Sequence, residues 1–257
     1  MKTIKQRLLD GQEVRVALAG ALATPKVIEL FGLFGNYHAV WIDQEHCAIP
    51  QQQIELMMMA CRATGIEGFV RVPPLDYCTI MRPMEAGACG VMVAQIRDVA
   101  QVREIVEWAK YPPDGVRGIF RANAEAWRGP SDVVELMTTA NRDRWLAIQI
   151  ETPEAVQCVD EILAIDGVDT VFVGPGDLSA TLGVAGQPMH PKCTDALQRV
   201  AEATKKAGKS WGVLPLSPEH ADYCRSLGCQ MFSLTSDAQA MRAGLAAAQE
   251  TYAGYFV

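Results

Sequence analysis

Four short runs in this chain carry side chains suited to acid–base and metal chemistry. They are Asp43-Gln44-Glu45-His46, Arg71-Val72, Gln149-Ile150-Glu151 and Gly174-Pro175-Gly176-Asp177. Glu151 and Asp177 are hard oxygen donors. Two carboxylates with open positions are how Mg2+ or Mn2+ is held when substrate oxygens complete an octahedron. Taken singly, either could instead cap a helix, since Glu151 precedes Thr152-Pro153 and Asp177 precedes Leu178-Ser179. Together they favour metal binding. No Cys/His cluster has zinc spacing. His46 lies three residues after Asp43. A neighbouring carboxylate can orient an imidazole and raise its basicity, which suits a general base. A loop histidine with a structural hydrogen bond is the alternative. Arg71, ahead of Val72-Pro73-Pro74, could clamp a carboxylate or stabilise an enolate. It could equally serve only as the ion partner of a nearby acid. Gly174-Pro175-Gly176 lets a backbone approach a small anion, or simply makes a tight turn.

These runs need elements to bring them together. Eight short apolar segments read as strands: Val14–Leu18, Ala39–Ile42, Gly68–Val72, Gly90–Val93, Leu146–Ile150, Thr170–Val173, Trp211–Leu214 and Met231–Leu234. They are nearly continuous rather than alternating, as parallel strands buried on both faces are. Helical periodicity falls between them at Pro50–Ala63, Val99–Lys110, Met189–Ala207 and Pro218–Leu227. The connection after Tyr111, with Pro112, Pro113, Gly115 and Gly118, is long enough to suggest a functional loop. Eight strands separated by helices over 257 residues point to an α/β fold, a (β/α)8 TIM barrel occupying residues 1–257 as one domain. The competing open sheet would carry a glycine fingerprint after its first strand, where this chain has only Ala19-Gly20-Ala21. A barrel gathers the C-terminal ends of its strands at one mouth. The four reactive runs all fall at such ends.

Composition narrows the setting. The net charge is −7, and there is no basic stripe, which excludes a nucleic-acid partner. No apolar run reaches the length of a membrane span. The segment MKTIKQRLLDGQEV lacks the apolar stretch of a signal peptide. The eight cysteines are scattered through apolar contexts without a C-x-x-C, as reduced thiols of a cytoplasmic protein would be. His38, His190 and His220 have no partner pattern, and Met57–Met59 reads as core packing.

Taken in order, the motifs WIDQEH (41–46), VRVP (70–73), EAGA (85–88), YPPDGVRG (111–118), QIET (149–152) and GPGDLS (174–179) form a set. Over about residues 5 to 250 the chain resembles the HpcH/HpaI family of metal-dependent class II pyruvate aldolases. The resemblance implies cleavage or formation of 4-hydroxy-2-oxo acids, giving pyruvate and an aldehyde through a pyruvate enolate. It implies a divalent cofactor (Mg2+, Mn2+ or Co2+) on Glu151 and Asp177. It makes His46 the base, assisted by Asp43, and Arg71 the enolate-stabilising group. Gln149 and the backbone of Gly176 and Asp177 would bind substrate. It further implies a homo-oligomer, a hexamer built as a dimer of trimers, with the helix in Ser236–Tyr252 exchanged between subunits.

Three positions depart from the family pattern. Glu85 stands where members usually have Asp, a carboxylate that supports the base from a neighbouring subunit. Gly176 replaces Ala or Ser, which a backbone contact tolerates. The first strand runs into Ala19-Gly20-Ala21 instead of a tryptophan, which bears on aldehyde preference. No strand ends in lysine, so a Schiff-base aldolase is not indicated. Thioester cleavage as in citrate lyase, decarboxylation of oxaloacetate, and a non-catalytic acid-binding barrel are the alternatives.

Overall fold

The computed structural model describes residues 2–256. Its strands are β1 (Val14–Ala19), β2 (Ala39–Asp43), β3 (Glu67–Val72), β4 (Gly90–Val93), β5 (Trp145–Ile150), β6 (Thr170–Val173), β7 (Ser210–Val213) and β8 (Met231–Ser236). They close a barrel in sequence order, and every pairing is parallel. This is the (β/α)8 TIM barrel expected from the strand count. All eight predicted strands are present, with ends shifted by at most two residues. The predicted helices form at Gln51–Thr64, Val99–Ala109, Pro191–Ala207 and Pro218–Ser226. Pro50 and His190, which the periodicity placed at or inside the helical starts, are N-caps with extended backbone. Side-chain caps at Thr24, Asp76 and Asp132 start three further helices, Pro25–Phe34, Tyr77–Glu85 and Val133–Asp143.

Strand alternation divides the core in two. Val40, Ile42, Val70, Val72, Ile148, Ile150, Val171 and Val173 pack outward against the helices. Trp41, Phe69, Met92, Trp145, Phe172 and Met231 fill the barrel interior. This explains the unbroken apolar runs, because both faces are buried. The helix Ile4–Leu9 lies at the N-terminal end of the barrel. Ile4 joins the interior core, and its N–H donates to the Glu67 carboxylate. The interior parity then continues upward: the next inward positions after Trp41, Phe69 and Ala147 are Asp43, Arg71 and Gln149. The fold thus delivers these three to the opposite mouth by counting residues along strands.

The long connection is pinned by a buried ion pair. Arg117 Nη2 meets Glu125 Oε2 at 2.6 Å, Tyr111 Oη donates to the same oxygen at 3.0 Å, and Arg144 Nε reaches Oε1 at 3.1 Å. Arg117 also lies 4.5 Å over the Tyr111 ring. The final helix, Asp237–Thr251, is exposed along most of its length. Together with Leu30, Phe34 and Tyr37, its Met241 and Leu245 line an apolar groove of about 500 Å3. Among the described residues, no helix is long and apolar enough to cross a membrane.

Candidate active site

At the barrel mouth, β2 and β3 set Asp43 and Arg71 side by side in register. Both point inward, so they meet. Arg71 Nε donates to Asp43 Oδ1 at 3.0 Å and Nη2 to Oδ2 at 2.6 Å. The third guanidinium nitrogen, Nη1, lies 3.1 Å from Glu45 Oε2, and the Arg71 carbon stands 4.7 Å over the Trp41 ring. The arginine is buried and locked on three sides.

This corrects the expected relation between Asp43 and His46. The Asp43 carboxylate does not face the imidazole. It accepts the backbone N–H of Glu45 at 3.0 Å and of His46 at 3.3 Å, so it shapes the loop while gripping Arg71. Strand parity is the reason: Asp43 is the last inward position of β2, and His46 lies beyond it in the loop. The His46 side chain is 59% exposed, and the nearest carboxylate to its Nε2 is Glu45 Oε2 at 3.8 Å.

Across the mouth, Glu151 follows β5 and is almost wholly buried. It does not cap the next helix, because Thr152 does so with its hydroxyl on the Ala155 N–H. Glu151 Oε1 accepts the Gln95 backbone N–H at 2.6 Å, and Oε2 accepts from Gln149 Nε2. Burial pushes its carboxyl up to about 7, against the Gln95 hydrogen bond, and the charges of Glu45 and Asp177 push the same way. Asp177 stands in the first turn of the helix Pro175–Thr181, whose N-cap is Gly174, so it too is not a cap. A Cβ at Gly174 would lie 2.6 Å from Gln149 Nε2 and 2.7 Å from Glu151 Oε2. Only glycine leaves room for that pair. At Gly176 a Cβ would meet nothing within 4 Å, so the backbone there fronts open space.

Glu45 is paired with Arg71, and the charges of Glu45 and Asp177 both bear on Glu151. Gln149 Oε1 is buried without a hydrogen-bond partner, while Glu45 Oε2, also buried, is held by its ion pair with Arg71. This surplus of negative charge and unmatched oxygen fits a divalent cation. Among the described residues no cluster of three or more His, Cys, Asp and Glu is arranged to hold a metal.

Glu85 lies apart from this group. It ends the helix Tyr77–Glu85 and lines a separate cavity with Arg82, Asn123, Phe120 and Trp127. Burial raises its carboxyl above the ordinary range, and Arg117 and Asn123 oppose that rise. The strand-end reading missed two groups. Glu45 was visible inside the acidic run after β2 but carried no assignment. Gln95 left no signal, because its contribution is a backbone amide.

Comparison with known proteins gives the same direction. Residues 16–243 match the family model for HpcH/HpaI aldolase/citrate lyase. A hydroxypyruvate/pyruvate aldolase of Delftia acidovorans is 33% identical over 86% of this chain and 81% of its own length. A 5-keto-4-deoxy-D-glucarate aldolase of Salmonella paratyphi C is 30% identical over 95% of this chain and 94% of its own. Among solved structures, an HpcH/HpaI aldolase from Desulfitobacterium hafniense superposes with a TM-score of 0.89 at 28% identity, covering 98% of this chain and 96% of that one. The citrate synthase SbnG superposes with a TM-score of 0.87 at 28% identity, covering 98% of both chains. By its sequence match and its barrel, this chain belongs to the HpcH/HpaI aldolase/citrate lyase family.

Proposed function

We propose that this protein is a carbon–carbon lyase, a class II aldolase that cleaves or forms 4-hydroxy-2-oxo acids, releasing pyruvate and an aldehyde. The observation that carries the reading is the almost wholly buried Glu151 carboxylate at the barrel mouth, held by the Gln95 N–H and by Gln149 Nε2. Glu151 and Asp177 would hold Mg2+, Mn2+ or Co2+, which when bound supplies Lewis acidity at the 2-oxo group.

The chain's own residues divide the remaining work. The open backbone at Gly176 and Asp177 receives the substrate carboxylate, and Gln149, through its Nε2 amide, orients the 2-oxo end. His46 takes the proton of the C4 hydroxyl. The C3–C4 bond breaks, the aldehyde departs, and its electron pair becomes the enolate of pyruvate. Arg71, fixed by Asp43, faces the developing negative charge without having to reorganise. Protonation at C3 then gives pyruvate. Glu85 supports His46 from a neighbouring subunit of a hexamer built as a dimer of trimers, whose final helices cross between subunits. The whole chain acts as one domain, and its free thiols suit the cytoplasm.

Thioester cleavage would need free cations for a CoA phosphate tail. The basic segment Arg117–Arg128 offers few. Arg117 is buried against Glu125, and Arg121 donates to the Ser131 carbonyl. Pyruvate release from a panel of 4-hydroxy-2-oxo acids tests the proposal. Release lost with EDTA and restored by Mg2+ or Mn2+ supports it. No release from any compound by metal-loaded protein would direct attention to oxaloacetate decarboxylation.

A further inference from the structure

Asp237 opens the final helix directly after β8 and is buried, 5% exposed. It does not cap that helix. Ser236 does, accepting the Gln239 N–H on its hydroxyl and completing a capping box. The Asp237 carboxylate turns instead onto the connection that leaves β1. Its Oδ2 accepts the Gly20 N–H at 2.9 Å and the Leu22 N–H at 2.7 Å, while Oδ1 accepts the Ala238 N–H at 2.7 Å. Backbone donors bonded to an ionised, buried oxygen are held firmly, because losing that partner would leave them buried and unmatched.

The turn so held lies against the site. Ala19 on β1 and Ile42 on β2 are register partners, so Gly20 follows the one as Asp43 follows the other. A Cβ on Gly20 would stand 3.1 Å from Cys47 Sγ and 3.6 Å from the Asp43 Cβ. The turn therefore backs onto the segment from Asp43 to Cys47, which carries His46 and whose first residue grips Arg71. Cys47 senses the same surroundings. Burial holds its thiol above the ordinary value, and the charges of Asp43 and Asp237 act in the same direction against that of Arg71. A chain of contacts thus runs from the base of the exposed final helix, through Gly20, to the Asp43–Arg71 pair.

Resting on the aldolase reading, we propose that Asp237 is a positioning residue: its carboxylate holds the Gly20–Leu22 turn against the segment from Asp43 to Cys47, and so sets Arg71 and His46 for enolate formation without touching substrate. Alkylation of Cys47 by iodoacetamide in metal-free protein, followed on its peptide by mass spectrometry, tests the contact itself. Asp237→Ala should speed it several-fold, and Asp237→Asn, which keeps an acceptor oxygen, should stay closer to wild type. Deuterium exchange at the pyruvate methyl group with saturating Mn2+ tests the consequence. Asp237→Ala should lower kcat about tenfold or more, with the pyruvate KM and the Mn2+ affinity within about twofold of wild type. Gly20→Ala keeps the test open should Asp237→Ala fold poorly. Its methyl group, pressed on Cys47 Sγ, should lower kcat likewise, and Cys47→Ala added to it should restore the rate. Unchanged Cys47 alkylation in Asp237→Ala, unchanged kcat in either single variant, or a kcat loss matched by an equal loss of Mn2+ affinity overturns the inference. Wild type that exchanges no methyl deuterium with Mn2+ overturns the aldolase reading itself, and the positioning role with it.

Discussion

Asp43 and Arg71 are register neighbours on adjacent parallel strands, and they form a two-point ion pair at 3.0 and 2.6 Å inside the barrel mouth. The carboxylate thereby serves the arginine and not the histidine. If Arg71 stabilises the enolate only while so held, the two residues act as one unit. Arg71→Ala is expected to lower kcat by roughly 10²–10³, the scale of a lost oxyanion donor. Asp43→Ala should fall in the same range, and the double variant should lose little more than either single one. Steady-state kinetics on the four proteins closes the cycle. Additive losses would show that Asp43 acts elsewhere.

Gly174 is where a single methyl group should disturb the metal site without unfolding the barrel. Its added Cβ would sit within 2.7 Å of both Gln149 and Glu151 side chains. Gly174→Ala is expected to weaken Mn2+ affinity about 10–100-fold, as loss of the groups orienting a ligand does. Titration calorimetry measures this directly. Glu151→Gln should weaken it further. Wild-type affinity in both variants would remove Glu151 from the donor set.

Much of this arrangement is legible in sequence because strand parity is rigid. Once Trp41, Phe69 and Ala147 are interior, Asp43, Arg71 and Gln149 must be as well. Glu151 and Asp177 stand out as candidate ligands because strand ends of a barrel converge. The partner of Asp43 was misread because proximity along the chain competes with proximity across strands, and here the cross-strand register won. Gln95 was invisible because a left-handed backbone at a non-glycine residue has no compositional mark. Only the resemblance offers a role for Glu85, since within one chain it faces a different cavity.

The exposed final helix makes the oligomer testable. Met241 and Leu245 are each more than half exposed on a groove wall. Apolar surface of this kind marks an interaction site. Light scattering coupled to size exclusion should give a hexamer for wild type and smaller species for the Met241→Glu/Leu245→Glu variant. A wild-type monomer at micromolar concentration would contradict the exchanged-helix arrangement.

His220 supplies a pH dependence independent of the metal site. It is fully buried, its Nδ1 accepts the Leu216 N–H at 3.2 Å, and its Nε2 has no partner. Burial holds its pKa below the ordinary 6.5. The unfolded chain therefore takes up a proton below about pH 6.5 that the native state refuses. Its contribution to stability is complete above that pH and declines as the pH falls through it, with a slope of up to about 1.4 kcal/mol per unit. Urea midpoints at pH 7.5 and 5.5 should differ more for wild type than for His220→Gln. Equal differences would mean that His220 is charged in the fold.

Formation of the pyruvate enolate with a divalent metal on Glu151 and Asp177 is the step on which the proposed aldolase depends. Deuterium exchange at the pyruvate methyl group reports that step without any aldehyde. Proton NMR in D2O should show the methyl signal lost with enzyme and Mg2+ or Mn2+, retained with EDTA, and retained with Glu151→Gln. Exchange that persists in EDTA, or that fails with fully metal-loaded wild type, would contradict the account.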